Sequence, residues 1–319
     1  MNLLLVFFRL IRWKNLLIVA LTQWMVWYFV IHPMNSWANA IVFLTAFNCM
    51  LLSLSTVLIA AAGYIINDYF DVRIDLINKP NDVIIEKIIP RRAAILWHSF
   101  LNVIGLLAAL YLAWRLHNFF LIFIQIACTV LLWFYSTKFK REFIKGNLIV
   151  AFLVAFTVLI LAVFEPSLYP CFRFELFIFE AGNKIINPLG VIIVYAYFAF
   201  ILTWMREIVK DMEDFKGDIE EGCVTMPIKI GLQKSQWFVT FLGVLGILPL
   251  VIAAIKLMQG SWSILGIYIL LAIIAPILYL LYILPRKTTK LHYQKISKLL
   301  KVIMITGVLS LLIYWLLQY

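Results

Sequence analysis

Nine stretches of this chain are long, apolar and almost free of charge: residues 16–32, 40–66, 93–114, 119–137, 147–164, 189–206, 236–257, 262–284 and 300–318. About 20 such residues, coiled as a helix, cross the hydrocarbon of a bilayer. Helices and closed barrels are the only structures that satisfy every backbone group there. The runs are far too long for barrel strands, so the chain is expected to be an all-α, polytopic membrane protein. Its residues 1–319 are read as a single transmembrane domain. Composition agrees: 65% of residues are hydrophobic, only 13% are charged, and the mean hydropathy is +1.00. A soluble domain cannot hide that much apolar surface.

The second stretch is long enough that its C-terminal turns project beyond the hydrocarbon. Between the fifth and sixth, Glu165 to Pro188 is expected to be a loop carrying a short interfacial run, Leu176–Phe179, too short to span. The opening MNLLLVFFRLIRWKN lacks a small-residue cleavage site and carries Arg9, Arg12 and Lys14. It predicts an amphipathic helix leading into the first span rather than a removable signal.

Charge placement selects an orientation. With residue 1 in the cytoplasm, the segments 1–15, 67–92, 138–146, 206–235 and 285–301 hold 23 of the 27 Lys and Arg residues. Only Arg115, Arg173, Lys184 and Lys256 fall on the other side. The positive-inside rule therefore predicts a multi-pass protein of the cell inner (plasma) membrane with a cytoplasmic N-terminus and an extracytoplasmic C-terminus. The net charge of +11 then needs no nucleic acid partner. Cys49, Cys128, Cys171 and Cys223 form no paired motif and predict neither a disulfide framework nor a zinc site. His32, His98, His117 and His292 are far apart and read as interfacial, solvated residues.

The carboxylates are not explained by topology. Twelve of the sixteen Asp and Glu lie in just two segments, 67–92 and 206–235. In the first, Asn67, Asp71 and Asp75 recur every four residues, with Asp68 close to the same side. Residues four apart share one face of a helix. In the second, Glu207, Asp211, Asp214 and Asp218 are expected on one face of a helix continuing the sixth span, while Ile208, Val209, Met212 and Phe215 bury the other. Like charges at this spacing repel, and a multivalent cation relieves them. Oxygen donors without Cys or His suit a hard cation, and magnesium commonly pairs one or two carboxylates with substrate phosphate oxygens.

Two such stripes facing each other would clamp a diphosphate through magnesium. Lys79, Arg91, Arg92, Lys138, Lys140, Arg141, Arg206 and Lys210 lie in the same cytoplasmic segments and can neutralise its remaining charge. The apolar, aromatic-rich spans (16% Phe, Trp and Tyr) would shelter an allylic cation from water. Each piece alone has a plainer origin in helix capping, an acidic loop or topological anchoring. Their coincidence on one side of the membrane favours chemistry.

These residues resemble the UbiA superfamily of intramembrane prenyltransferases. Asn67, Asp68, Asp71 and Asp75 match its NDxxDxxxD pattern, and Asp211, Asp214 and Asp218 match its second motif, with Gly217 in the usual place. Tyr135 and Lys138 look like the Tyr/Lys element between the motifs, and Asn15 matches a polar position at the start of the first span. The fuller strings NDYFDVRIDLINKP and REIVKDMEDFKGDIEEGCVTMP are most similar to the geranylgeranylglycerol-phosphate geranylgeranyltransferase branch.

The resemblance implies nine helices in a ring around a central cavity open to lipid, and magnesium-dependent transfer from an isoprenyl diphosphate to a lipophilic acceptor. It implies catalytic roles for Asp68, Asp71, Asp75, Asp211, Asp214 and Asp218. Magnesium ligation would fall to Asn67, Asp71, Asp75, Asp211, Asp214 and Asp218. Substrate contacts would come from Asn15, Asn67, Lys79, Arg91, Arg92, Tyr135, Lys138, Arg206 and Lys210. After Lys79-Pro80 the chain reads NDVIIEKIIPRR, where the family commonly has an Arg-Pro or Ser-Gly turn near the acceptor entrance. An aromatic acceptor, as in quinone biosynthesis, and a membrane transporter are the competing readings.

Overall fold

A computed structural model describes residues 3–34, 41–173, 179–181, 184–260 and 262–317. The described chain is helical, and nine helices are long and apolar enough to cross a membrane. A short helix α1 (Leu3–Leu10) precedes spans α2 (Trp13–Ile31), α3 (Ala46–Asn78), α4 (Arg91–Arg115), α5 (Phe120–Thr137) and α6 (Lys145–Val163). A two-stranded antiparallel ladder, β1 (Phe179–Ala181) with β2 (Lys184–Ile186), leads to the span α7 (Pro188–Glu213). Two short helices follow, α8 (Phe215–Glu220) and α9 (Met226–Ile230). Spans α10 (Leu232–Gln259), α11 (Ser263–Arg286) and α12 (Lys290–Leu316) complete the fold. The expected run Leu176–Phe179 falls mostly outside the described residues.

Boundaries differ from expectation where local chemistry sets them. The second span starts at Ala46, not at 40, because Thr45 caps it: Thr45 Oγ1 accepts from Asn48 N at 3.3 Å. The N-terminal segment does not run unbroken into the first span. Arg12 adopts the left-handed conformation (φ 52°, ψ 48°) and separates α1 from α2.

The chain divides into two compact units, Met1–Lys140 with Phe156–Val194, and Arg141–Ala155 with Tyr195–Tyr319. In the first unit, α3 and α4 pack closely through small residues. A Cβ on Gly105 would meet Ile59 Cγ1 at 3.0 Å and the Ser55 carbonyl at 3.2 Å, and Ser55 Oγ donates to the Gly105 carbonyl at 2.7 Å. Close backbone approach with hydroxyl bridging is how helices associate where lipid removes the hydrophobic drive. His98 corrects the interfacial assignment. It is buried, with Nδ1 2.9 Å from the Ala62 carbonyl and Asn102 Nδ2 3.2 Å from Nε2. A carbonyl only accepts, so Nδ1 carries the proton and Nε2 receives the amide. Helical periodicity (98, 102, 105) put these polar groups on the α3-facing side of α4.

In the second unit, Pro249 and Pro276 sit within the apolar length of spans, where a missing N–H leaves a carbonyl of the preceding turn without its usual donor. Pro249 frees Leu245, whose oxygen accepts from Tyr197 Oη at 3.0 Å. Pro276 follows a π-turn over Ile269–Ile274, and Thr306 Oγ1 donates to the Ala272 carbonyl within that turn at 3.1 Å. An orphan carbonyl in hydrocarbon costs several kcal/mol, so hydroxyls from neighbouring spans make the kinks tolerable. Gly266 packs with its Cβ position only 2.7 Å from the Ala254 carbonyl.

Candidate active site

The first acidic motif closes α3. That helix has 33 residues, about 50 Å at 1.5 Å per residue, against about 30 Å of hydrocarbon. Its last turns, with Asn67 to Asp75, therefore stand clear of the apolar layer as one unbroken helix. Asn67 Nδ2 donates to Asp71 Oδ2 at 2.7 Å, one turn along the same face, and both side chains are buried. The ammonium of Lys140 forms an ion pair with that same Oδ2. Burial alone would lower the Lys140 pKa, but the charge and hydrogen bond of Asp71, with Asp75 nearby, hold it above the ordinary lysine range.

Asp68 turns to a different partner. Arg12 Nη2 donates to Asp68 Oδ1 at 2.6 Å, and the guanidinium lies 5.0 Å from the Tyr64 ring centroid. Asp68 is the main reason that the Arg12 pKa is raised. Asn15 Nδ2 reaches Tyr64 Oη at 3.3 Å, so it is brought to the same cluster.

The remaining basic candidates of this unit are distributed more widely. Arg91 Nε pairs with Glu86 at 2.5 Å and lies over the Tyr69 ring, 5.2 Å from its centroid. Arg92 is exposed, and Lys79 is the C-cap of α3, its N–H bonded to the Asp75 carbonyl at 2.7 Å. Tyr135 is half-buried on the last turn of α5, while Lys138 is exposed at its C-cap. The 3-10 turn Phe139–Arg141 presents Lys140, rather than Lys138, to the carboxylates.

The second motif departs from expectation. Glu207, Asp211, Asp214 and Asp218 do not lie on one unbroken helix: α7 ends at Glu213, Asp214 bends the chain (φ −92°, ψ 8°), and α8 begins at Phe215. The turn-by-turn bonds continue through the bend, Asp214 N to the Lys210 carbonyl at 2.8 Å and Asp218 N to the Asp214 carbonyl at 3.2 Å. The bend changes the direction of the stripe and keeps its spacing. Asp211 Oδ2 accepts from Asn147 Nδ2 at 2.8 Å. Glu207 is held by Arg206 at 2.7 Å and Lys210 at 3.1 Å. Glu213 accepts from Gln294 at 3.2 Å, and the Asp218 side chain is buried. Ile208, Val209 and Met212 are buried on the opposite face, as the pattern predicted, whereas Phe215, beyond the bend, is only half-buried.

Each unit thus places an amide donor on a motif aspartate, Asn67 on Asp71 and Asn147 on Asp211, with cations interleaved among the carboxylates. Asn147 and the Arg12 contact were missed in the sequence. The only signal for Asn147 was a polar residue in the first turn of an apolar span. Among the described residues no three acidic, His or Cys side chains close into a preformed metal cage. The donors are carboxylate and amide oxygens, which fit magnesium completed by water and phosphate oxygens.

A family model described as the UbiA prenyltransferase family matches residues 17–299. Digeranylgeranylglyceryl phosphate synthase of Methanocaldococcus jannaschii is 31% identical over 250 residues, 77% of this chain and 76% of that protein. The same enzyme of Methanococcus maripaludis is 28% identical over 300 residues, 93% of each. A solved structure described as digeranylgeranylglyceryl phosphate synthase in membranes superposes with a TM-score of 0.63 at 26% identity, covering 100% of both chains. A UbiA homologue from Archaeoglobus fulgidus, bound to DMAPP and Mg2+, shares the fold at TM-score 0.57 and 16% identity, over 96% of this chain and 98% of that one. With a family match running through both acidic motifs and seven complete spans, the chain belongs to the UbiA family of membrane prenyltransferases.

Proposed function

We propose that this prenyltransferase uses magnesium to ionise geranylgeranyl diphosphate and transfers the geranylgeranyl group to the free hydroxyl of geranylgeranylglyceryl phosphate. The observation that carries the reading is the pair of carboxylate–amide clusters, Asn67 with Asp71 and Asn147 with Asp211, each on a helix end with cations beside it. The named relatives, aligned over most of both chains, support the acceptor. The solved homologues with bound allylic diphosphates and Mg2+ support the cofactor.

Asn67, Asp71, Asp75, Asp211, Asp214 and Asp218 would hold the metal. Bound there, magnesium would supply the Lewis acidity that stabilises a leaving diphosphate. Lys79, Arg91, Arg92, Lys138, Arg206 and Lys210 are candidates to neutralise what charge remains, with Asn15 and Tyr135 as neutral contacts. The C1–O bond of the donor breaks with its electron pair on the diphosphate. A new C1–O bond then forms to the acceptor hydroxyl, whose proton passes to the released diphosphate. The whole chain is read as a single catalytic domain, a reading supported by the family match running from 17 to 299 across both units.

The test supplies purified protein with labelled geranylgeranyl diphosphate and a panel of acceptors, geranylgeranylglyceryl phosphate and glycerol phosphate against hydroxybenzoate and dihydroxynaphthoate. The expected product is the ether lipid, formed only with magnesium. Product from an aromatic acceptor alone overturns the acceptor, and full turnover in EDTA overturns the metal.

The membrane is proposed to be the cell inner membrane, with residue 1 cytoplasmic. Reporter insertions at Asn81 and Gly222 should read cytoplasmic, and one at Asn118 external. A cytoplasmic Asn118 would reverse that part of the topology.

A further inference from the structure

Two basic side chains stand where a metal would act. Asp71 is almost wholly buried, at 4% exposure, and a buried carboxylate without a counter-charge is costly. Its Oδ2 takes both the Asn67 amide and the Lys140 ammonium, which uses the in-plane lone pairs of that oxygen. Three residues earlier, Asp68 is met by Arg12, which stands at the left-handed break between α1 and α2. The Lys140 and Arg12 side chains are only 30% and 35% exposed, so their charges are weakly screened. A divalent cation at the same carboxylates would face direct repulsion from both.

We propose that Lys140 and Arg12 form an intramolecular counterion latch, which neutralises Asp71 and Asp68 before the metal arrives and whose Lys140 arm must be displaced for the first motif to bind it. This rests on the magnesium reading given above. Lys140 is tied to the ligating carboxylate itself, and Arg12 to its neighbour. Lys140 cannot stay in place while a hydrated divalent ion takes Asp71 and Asp75 on the same helical face, and Arg12 repels that ion from the neighbouring Asp68. The latch makes metal binding weak in the absence of an anion. An ammonium expelled from a carboxylate in a poorly solvated position needs a new negative partner, and diphosphate arriving with the metal brings one. Metal and diphosphate are therefore coupled: each binds better when the other is present. In the metal-free state the latch also removes the repulsion within the Asp68, Asp71 and Asp75 stripe, which lets the helix end stay folded.

The experiment titrates the full-length protein in nanodiscs with Mn2+, read as loss of the free-ion EPR signal, with and without inorganic pyrophosphate. Removing the ammonium in Lys140→Met should tighten Mn2+ binding without pyrophosphate by roughly tenfold, the strength of one charged hydrogen bond. Pyrophosphate should then enhance metal affinity less than in wild type. Lys140→Arg keeps the charge and should bind Mn2+ like wild type. Arg12→Gln tests the second arm with a side chain equally able to occupy the left-handed position, and it too should tighten binding. Thermal melting without metal verifies that each variant is folded. If Lys140→Met does not fold, Arg12→Gln and Lys140→Gln carry the same comparison. Unchanged or weaker Mn2+ binding in the folded charge-removing variants overturns the latch. Asp71→Asn serves as the separate control: if it binds Mn2+ like wild type, the magnesium reading itself fails, whatever the lysine variants do.

Discussion

Replacing Asp71 by Asn should lower turnover by about 10²–10³-fold or more, the usual cost of losing one electrostatic contact to a transition state, while the protein still inserts and folds. The substitution keeps the side chain's size and leaves an amide oxygen to accept from Asn67. It removes the charge that Lys140 neutralises, which leaves a largely buried ammonium without its partner and should lower the melting temperature while the fold is kept. Asp218→Asn, in the other unit and equally buried, should fall similarly. The measurement is turnover of labelled geranylgeranyl diphosphate, paired with melting curves. Wild-type protein should gain thermal stability when magnesium and pyrophosphate are added together, and both variants should gain less. Wild-type turnover in either variant would remove its carboxylate from the proposed metal site.

Much of this arrangement is legible before any coordinates. The nine spans follow from apolar runs that only a bilayer accommodates, and the first motif follows from its period of four on a helix that stays continuous through Asn78. The second motif has the same spacing, but nothing in Met212-Glu213-Asp214-Phe215 announces a bend. Neither proline nor glycine stands there, and the break rests on one backbone conformation at Asp214. Periodicity reports which residues share a face only while the helix is straight.

The partners of the carboxylates are hidden for another reason. Lys140 and Asp71 are 69 residues apart, Asn147 and Asp211 are 64 apart, and Arg12 and Asp68 are 56 apart. Sequence spacing predicts contacts within one helix, whereas these contacts are set by packing between elements. Lys138 and Lys140 look equivalent in YSTKFKR until the 3-10 turn after α5 decides which of them turns inward. Arg12 is harder still, because a left-handed arginine is sterically unusual and carries no signature of its own. In its sequence context it is one more positive charge beside the membrane. His98 reads as interfacial and solvated when it is considered without Asn102. Their spacing of four, continued by Gly105, is the pattern of a helix interface.

Glu165→Ala should destabilise the protein by about 3 kcal/mol or more, without changing metal affinity. Glu165 begins the long segment between α6 and α7, which the sequence offers only as a loop, yet its side chain is completely buried. It accepts from Leu44 N at 2.8 Å, Phe43 N at 3.2 Å, Ser167 N at 3.2 Å and Ser167 Oγ at 2.7 Å. No cation is needed where four donors converge on the two oxygens. The Phe43 and Leu44 amides lie just before Thr45, the cap of α3, where the helix dipole also favours negative charge. Truncation to alanine leaves those backbone N–H groups buried without an acceptor and opens a void between the end of α6 and the start of α3. Glu165→Gln keeps one acceptor oxygen but turns an NH2 group toward the remaining donors, so it should fall between the two. Asp71 lies at the far end of the same helix, about 39 Å along its axis from Thr45, so Mn2+ titration should not distinguish Glu165→Ala from wild type. Thermal inactivation in detergent provides the stability readout. A wild-type melting temperature in Glu165→Ala would mean that water or lipid headgroups satisfy the Phe43 and Leu44 amides, and that the carboxylate does not hold α3 to α6.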